Sequence, residues 1–230
     1  MPHGRPRSQN PHVSPHGDLF DGALPYDVLH FEECARSSGY TCIAGLDEAG
    51  RGPLAGPVFA AAVVLPSALL IPGLTDSKQV PHKERERLFD LIRDQAVCYG
   101  IGIADVQTID EVNILQATII AMERALQALS PYPDYLLLDA ITLPRIPLPQ
   151  KPIIKGDCRS HSIAAASILA KVTRDRLMLD LHERFPKYNF QKHKGYGTKE
   201  HLALIREHGP CEAHRRTFNP VARMLSGDVR

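Results

Sequence analysis

Cys42-Ile-Ala-Gly-Leu-Asp-Glu-Ala-Gly-Arg-Gly-Pro-Leu-Ala-Gly-Pro57 begins as a short apolar run and turns, at Asp47, into two adjacent carboxylates followed by a glycine-rich stretch. The apolar part predicts a strand from Tyr40 to Leu46 that gives way to a loop where the acids begin. Neighbouring side chains on a strand point to opposite faces, so Asp47 and Glu48 reach one cation together only if the strand ends or bulges there. Gly50 and Gly52, on either side of Arg51, let main-chain N–H groups come close to a sugar-phosphate, and Arg51 adds a fixed charge. A solvated surface turn is the plainer reading of an Asp-Glu pair. It gives no reason, however, for three glycines and two prolines between Asp47 and Pro57. The stretch reads as a metal site beside a phosphate cradle.

Outward from this segment the chain alternates strands and helices. Val58 to Leu65 is a run of small and β-branched apolar residues, expected to be a buried strand antiparallel to the first. Pro81 to Ala96 has the apolar spacing of a one-faced helix, Val97 to Ala104 reads as a strand, and Ile109 to Leu129 as a long helix. Tyr135 to Leu138 is a buried strand that runs directly into Asp139, at the C-terminal edge where open α/β sheets hold ligands. Four prolines, at 144, 147, 149 and 152, then enforce an extended connection. A short strand at Ile153 and Ile154 leads to Lys155-Gly156-Asp157, and Ser160 to Phe185 is a helix whose small residues suit close packing on the sheet. Upstream, Asp27 caps a helix that reaches Ser37 and ends at Gly39. The expected fold is α/β, a mixed sheet flanked by helices. Residues 1–27 form a proline- and histidine-rich disordered extension, 28–188 a catalytic domain, and 189–230 a small C-terminal helical region.

Composition narrows the class. No apolar run approaches the roughly 20 residues that cross a membrane, and the first residues lack the apolar core of a secretory signal, so a cytoplasmic protein is expected. The five cysteines are odd in number, scattered and without a Cys-x-x-Cys pair, which argues against a disulfide framework and a structural zinc. The formal net charge of +1 hides an uneven distribution. Lys187 to Arg216 holds seven Lys or Arg against three Glu, with Tyr196 between Gly195 and Gly197 in the middle. A solvated face is the plain reading of such a run; an exposed ring with a glycine on each side makes it a nucleic-acid surface.

Asp47, Glu48, Asp139 and Asp157 fall at the ends of different elements, and none has a histidine or cysteine partner at zinc-ligand spacing. Oxygen donors alone suit Mg²⁺ or Mn²⁺, whose charge would relieve the repulsion among four carboxylates. The chemistry this favours is phosphodiester hydrolysis with two ions, one activating water and the other stabilising the leaving oxygen.

These and further motifs make the chain resemble ribonuclease HII, the bacterial type 2 ribonuclease H family. They include Asp76-Ser-Lys78, Asn113-Ile-Leu-Gln-Ala117, Ser162-Ile-Ala-Ala-Ala-Ser-Ile168, His193-Lys-Gly-Tyr-Gly-Thr198 and His214-Arg-Arg-Thr-Phe218. The resemblance implies a ribonuclease H-like fold and an endonuclease that cuts the RNA strand of RNA/DNA hybrids. It further implies incision of duplex DNA 5′ to embedded ribonucleotides, leaving a 3′-hydroxyl and a 5′-phosphate. It assigns catalysis and metal binding to Asp47, Glu48, Asp139 and Asp157, sensing of the 2′-hydroxyl to Gly50-Arg51-Gly52, and stacking on the sugar to Tyr196. The 189–230 region becomes a substrate-binding unit, and Lys78 and Lys194 are expected phosphate contacts. A monomer is expected, and a sliding-clamp partner is left open. Ala140 departs from the family, standing where glycine commonly follows the third acid, and Thr217 replaces a usual serine. Two other readings stay in play: a nuclease of the same fold acting on plain or branched DNA, and a noncatalytic hybrid-binding protein.

Overall fold

A computed structural model describes residues 27–227. The expected extension over residues 1–27 lies, apart from Asp27, outside the described residues. Five strands form one sheet: β1 (Ile43–Ala49), β2 (Val58–Val64), β3 (Cys98–Ala104), β4 (Tyr135–Asp139) and β5 (Gln150–Ile153). Their order is β3-β2-β1-β4-β5, with β1–β2 and β2–β3 antiparallel and β1–β4 and β4–β5 parallel, so the sheet is mixed as expected. Seven helices accompany it among the described residues: α1 (His30–Ser37), α2 (His82–Gln95), α3 (Val106–Gln127), α4 (His161–Arg184), α5 (Phe190–His193), α6 (Lys199–His208) and α7 (Val221–Ser226).

Alternation along the strands divides the core. Ala44, Leu46, Val58, Ala60 and Ala62 pack with α3 on one face, while Ala61 and Val63 pack with α2 and α4 on the other. A third apolar cluster joins Leu54, Ala55 and Met178 to Tyr188, Phe190, Ile205, Ala213 and Val221, which fastens the C-terminal helices to the glycine loop. Helix α4 lies directly on β1, because a Cβ at Gly45 would stand 2.2 Å from the Ser162 carbonyl carbon. Its first turn is capped by Ser160 and riveted to α1: buried Glu32 Oε1 accepts from Ser160 Oγ, Ser162 N and Ser162 Oγ at 2.7–2.9 Å. All five cysteines are free thiols, and among the described residues no helix is long and apolar enough to cross a membrane.

Several boundaries differ from the sequence expectation. Helix α1 starts at His30 with Leu29, not Asp27, at its N-cap, because Asp27 Oδ1 is engaged by Leu29 N in the turn before the helix. Strand β1 continues through both acids to Ala49, in unbroken register with β2 from Ala44–Val64 to Ala49–Phe59, because the alanines of β2 give it a ladder partner that local sequence does not show. Strand β5 begins at Gln150 and includes Pro152. As the last strand in the order it is an edge, where a residue without an N–H is tolerated. Helix α3 begins three residues early, capped by Asp105, which accepts from Thr108 N at 2.8 Å. The same helix is broken at Asn113 (φ 69°, ψ 166°), whose Oδ1 accepts from Leu115 N and Gln116 N and so restarts it.

Candidate active site

The strand register decides where each acid points. Leu46 opposes Leu138 in the parallel β1–β4 pair and both join the α3 face, so the next residues, Asp47 and Asp139, share the opposite face. On that face a short 3₁₀ turn, Gly156–Cys158, delivers Asp157 just before α4. The three aspartates bring carboxylate oxygens within 4.8 Å of one another. Gly156 N donates to Asp139 Oδ1 at 2.8 Å, and Glu48 N donates to Asp47 Oδ1 at 2.7 Å. Ala140, in the left-handed region at φ 54°, makes the turn out of β4, which gives a physical reason for the glycine common at that position.

Glu48 is the exception. It follows Asp47 in an unbroken strand, correcting the expectation that the strand ends before the pair, and its carboxylate is not among the three that converge although its charge is felt at Asp47. Its Oε1 lies 3.5 Å from Arg51 Nη1, and its Oε2 is buried without a hydrogen-bond partner.

Electrostatics agree with a group assembled to hold cations. Burial, then the charges of Glu48 and Asp139, holds the Asp47 carboxyl well above the ordinary range. Burial and Asp139 push Asp157 up, against the pull of Lys78. Burial raises Glu48, with Arg51 opposing it and Asp139 adding to it. Burial disfavours the Lys78 ammonium, yet Asp76, Asp47 and Asp157 together hold it above the usual lysine value. Clustered oxygen donors, mutual repulsion and an orphaned buried carboxylate oxygen all fit hard divalent cations.

Beside the acids, the glycine loop is gripped from below by two arginines that sequence reasoning missed. Arg215, fully buried, donates from Nη2 to Gly50 O and Gly56 O, from Nη1 to Arg51 O and from Nε to Gly56 O. Arg174, on α4, donates to Pro57 O and Ala55 O at 3.2 and 3.1 Å. Gly50 (φ +100°) has no room for a side chain, since its Cβ would lie 2.2 Å from Arg174 Nε. With the loop carbonyls engaged inward, no hydrogen bond among the described residues uses the N–H of Arg51 or Gly52. Burial pushes Arg215 down to about 9, so it stays cationic at neutral pH and sets a fixed positive charge under the loop. The signal for Arg174 was visible: an arginine interrupting the small apolar residues of α4's buried face.

Tyr196 is exposed and stands over this loop, with its Cε1 3.8 Å from where a Gly52 Cβ would be. Its flanking glycine is not a loose hinge, because Gly195 O accepts from Leu54 N at 2.8 Å. The structure thus brings together Asp47, Asp139 and Asp157, sets Lys78 within their field, and joins Gly50, Arg51 and Gly52 to Tyr196. Lys194 stands apart, its ammonium donating to Gln191 O at 2.6 Å. The basic run is also less available than its count suggests, since Arg215 is internal and Lys192 pairs with Glu200.

Known proteins resemble this chain over most of its length. The family model described as ribonuclease HII matches residues 44–221. The ribonuclease HII of Bacillus pumilus (strain SAFR-032) is 55% identical over 201 residues, 87% of this chain and 79% of that protein. That of Syntrophotalea carbinolica is 57% identical over 197 residues, 86% of this chain and 94% of the relative. Among solved structures, ribonuclease H2 from Pyrococcus horikoshii OT3 superposes with a TM-score of 0.68 at 26% identity, covering 81% of this chain and 98% of its own. With the four acids, the glycine loop, Tyr196 and helices α2 to α6 inside the matched span, the chain belongs to the ribonuclease HII family, metal-dependent hydrolases of the ribonuclease H type.

Proposed function

We propose that this endonuclease hydrolyses the RNA strand of RNA/DNA hybrids and incises duplex DNA 5′ to embedded ribonucleotides, leaving a 3′-hydroxyl and a 5′-phosphate. The observation that carries the reading is the placement of an acid group next to a loop whose free N–H groups lie beneath an exposed tyrosine. Asp47, Asp139 and Asp157, with Glu48, are the residues that would hold Mn²⁺ or Mg²⁺. Two such ions supply, when bound, the charge that activates water and eases departure of the sugar oxygen.

The chain's own groups account for selectivity. Telling RNA from DNA requires a partner for the 2′-hydroxyl, and the N–H groups of Arg51 and Gly52 offer one without reading the base. Tyr196 supplies a flat surface for the sugar at the junction. Lys78, held charged beside the acids, contacts a phosphate, and Lys194 contacts another farther along the backbone. Residues 189–230 act as the substrate-binding unit, the protein works as a monomer in the cytoplasm, and removal of misincorporated ribonucleotides is its role in repair.

The test is a duplex carrying one ribonucleotide, incubated with Mg²⁺ or Mn²⁺ or with chelator, beside an all-DNA duplex and an Asp139→Asn variant. Metal-dependent nicking 5′ to the ribonucleotide, lost in the variant, is expected. Equal cutting of the all-DNA duplex would assign a general DNA nuclease instead.

A further inference from the structure

Beneath Tyr196 lies a cluster that the proposed reaction does not use. His193, His201 and His214 are buried, and their ring nitrogens make an ordered set of hydrogen bonds. The main chain fixes the direction of these bonds. Gly195 N–H donates to His193 Nδ1 at 3.2 Å, and Cys211 N–H donates to His214 Nδ1 at 3.0 Å. A ring nitrogen that accepts carries no proton, so neutral His214 is protonated on Nε2. That atom lies 3.1 Å from His201 Nε2, which must therefore accept, leaving the His201 proton on Nδ1, 2.9 Å from Tyr196 O. By the same logic His193 donates from Nε2 to Tyr188 O at 2.8 Å. A further proton on His201 or His214 would set two N–H groups against each other.

The surroundings favour this neutral form. Lys192, Lys194 and Glu200 face His193, Cys211 Sγ lies 3.2 Å from His214 Nδ1, and Tyr188 packs edge-on to both His214 and His208. Burial outweighs these neighbours and lowers all three rings, His201 and His214 to about 4.

We propose that the His201–His214 pair is a positioning device for Tyr196: a proton-ordered chain from Cys211 N–H through both rings to Tyr196 O fixes the tyrosine's main chain. Arg215, the very next residue, fixes the glycine loop through Gly50 O and Arg51 O. One strip of chain therefore grips both loops and sets the gap between the phenol ring and Gly52. The inference rests on the reading of Tyr196 as the sugar-stacking residue.

Two measurements test it. Long-range ¹⁵N spectra of the full-length free protein, with histidine resonances assigned by single His→Gln variants, report each ring's tautomer. The expected result is His214 protonated on Nε2 and His201 on Nδ1, both unchanged from pH 8 to pH 5.5. Either ring in the opposite tautomer, or titrating near the ordinary histidine value, overturns the chain. This readout needs no activity, so it stands even if the enzyme fails to nick at a ribonucleotide. The second measurement is a cycle of His201→Ala, Tyr196→Ala and the double variant on the single-ribonucleotide duplex. An about tenfold fall in kcat for His201→Ala is expected, with no added loss in the Tyr196→Ala background and recovery in His201→Asn, whose amide can reach Tyr196 O. Losses that multiply, or no recovery by asparagine, would give the histidines a merely structural role.

Discussion

At the acid edge of the sheet, three aspartates hold their oxygens within 4.8 Å of one another and Glu48 keeps a buried oxygen with no partner. A short distance along the same chain, Arg215 spends its guanidinium on loop carbonyls and three histidines use every ring nitrogen. The first region leaves crowded carboxylate charge unrelieved by the chain itself, whereas the second is completed from within. The difference teaches that reactivity and recognition are stabilised by different means. On the proposed function, crowded charge is tolerated where a cation would sit, and pre-set geometry serves to tell a hydroxyl from a hydrogen.

The sharpest way to break this contrast is Asp47→Asn. Loss of a cation ligand is expected to cut nicking at least about a hundredfold, since even residues that only orient ligands cost 10–100-fold. In chelator the same variant is expected to melt at a higher temperature than wild type, because Asp47 carries repulsion from Glu48 and Asp139. A lower melting temperature would show that the acid edge is not strained.

Arg215→Met removes four donated hydrogen bonds and leaves buried carbonyls unpaired. An about 2 kcal/mol loss of stability by urea titration is expected. A neutral result would mean the loop holds its shape unaided.

The histidines predict the pH response. His201 and His214 have folded values of about 4 against an ordinary 6.5, so their contribution is present above 6.5 and lost as pH falls from there through 4. In chelator, the urea midpoint should fall on acidification across that window, and His201→Asn should flatten the fall. An unchanged slope in the variant would remove the cluster from the second region's stability.

The smallest effects separate the two lysines. Lys78→Ala should lower the slope of log affinity against log salt by about 1, the signature of one phosphate contact. Lys194→Ala should change it less, because that ammonium already has a carbonyl partner. The reverse ranking would shift the backbone's path toward the C-terminal helices.

Much of this was legible in the residues. Apolar runs locate β1 to β4 and the last residue of β5, and three of the acids read beside those runs, Asp47, Asp139 and Asp157, converge in the fold. What escaped depended on partners remote in sequence. Strand β1 runs on to Ala49 because β2 folds back on it, and β5 starts early because β4 supplies its neighbour. Arg215 reads as part of a basic surface, and Arg174 has no role, until the loop both hold, more than a hundred residues upstream, is folded against them. His193 and His214 open two of the motifs yet have no role in the sequence, since the order of the rings comes from three separate segments meeting under Tyr196.

The break in α3 at Asn113 has a bearing on ancestry and engineering. The turn before it carries Asp110, which accepts from Arg216 N, Thr217 N and Thr217 Oγ1, while the turns after it lie on the sheet. Residues 106–112 are therefore tied both to the sheet, through Ile109 and Val112, and to the tail, through Asp110, although they are encoded in the middle of the chain. The tail's anchorage is thus not local in sequence, and a chimaera that borrows a tail from a relative would need Asp110 kept matched to it.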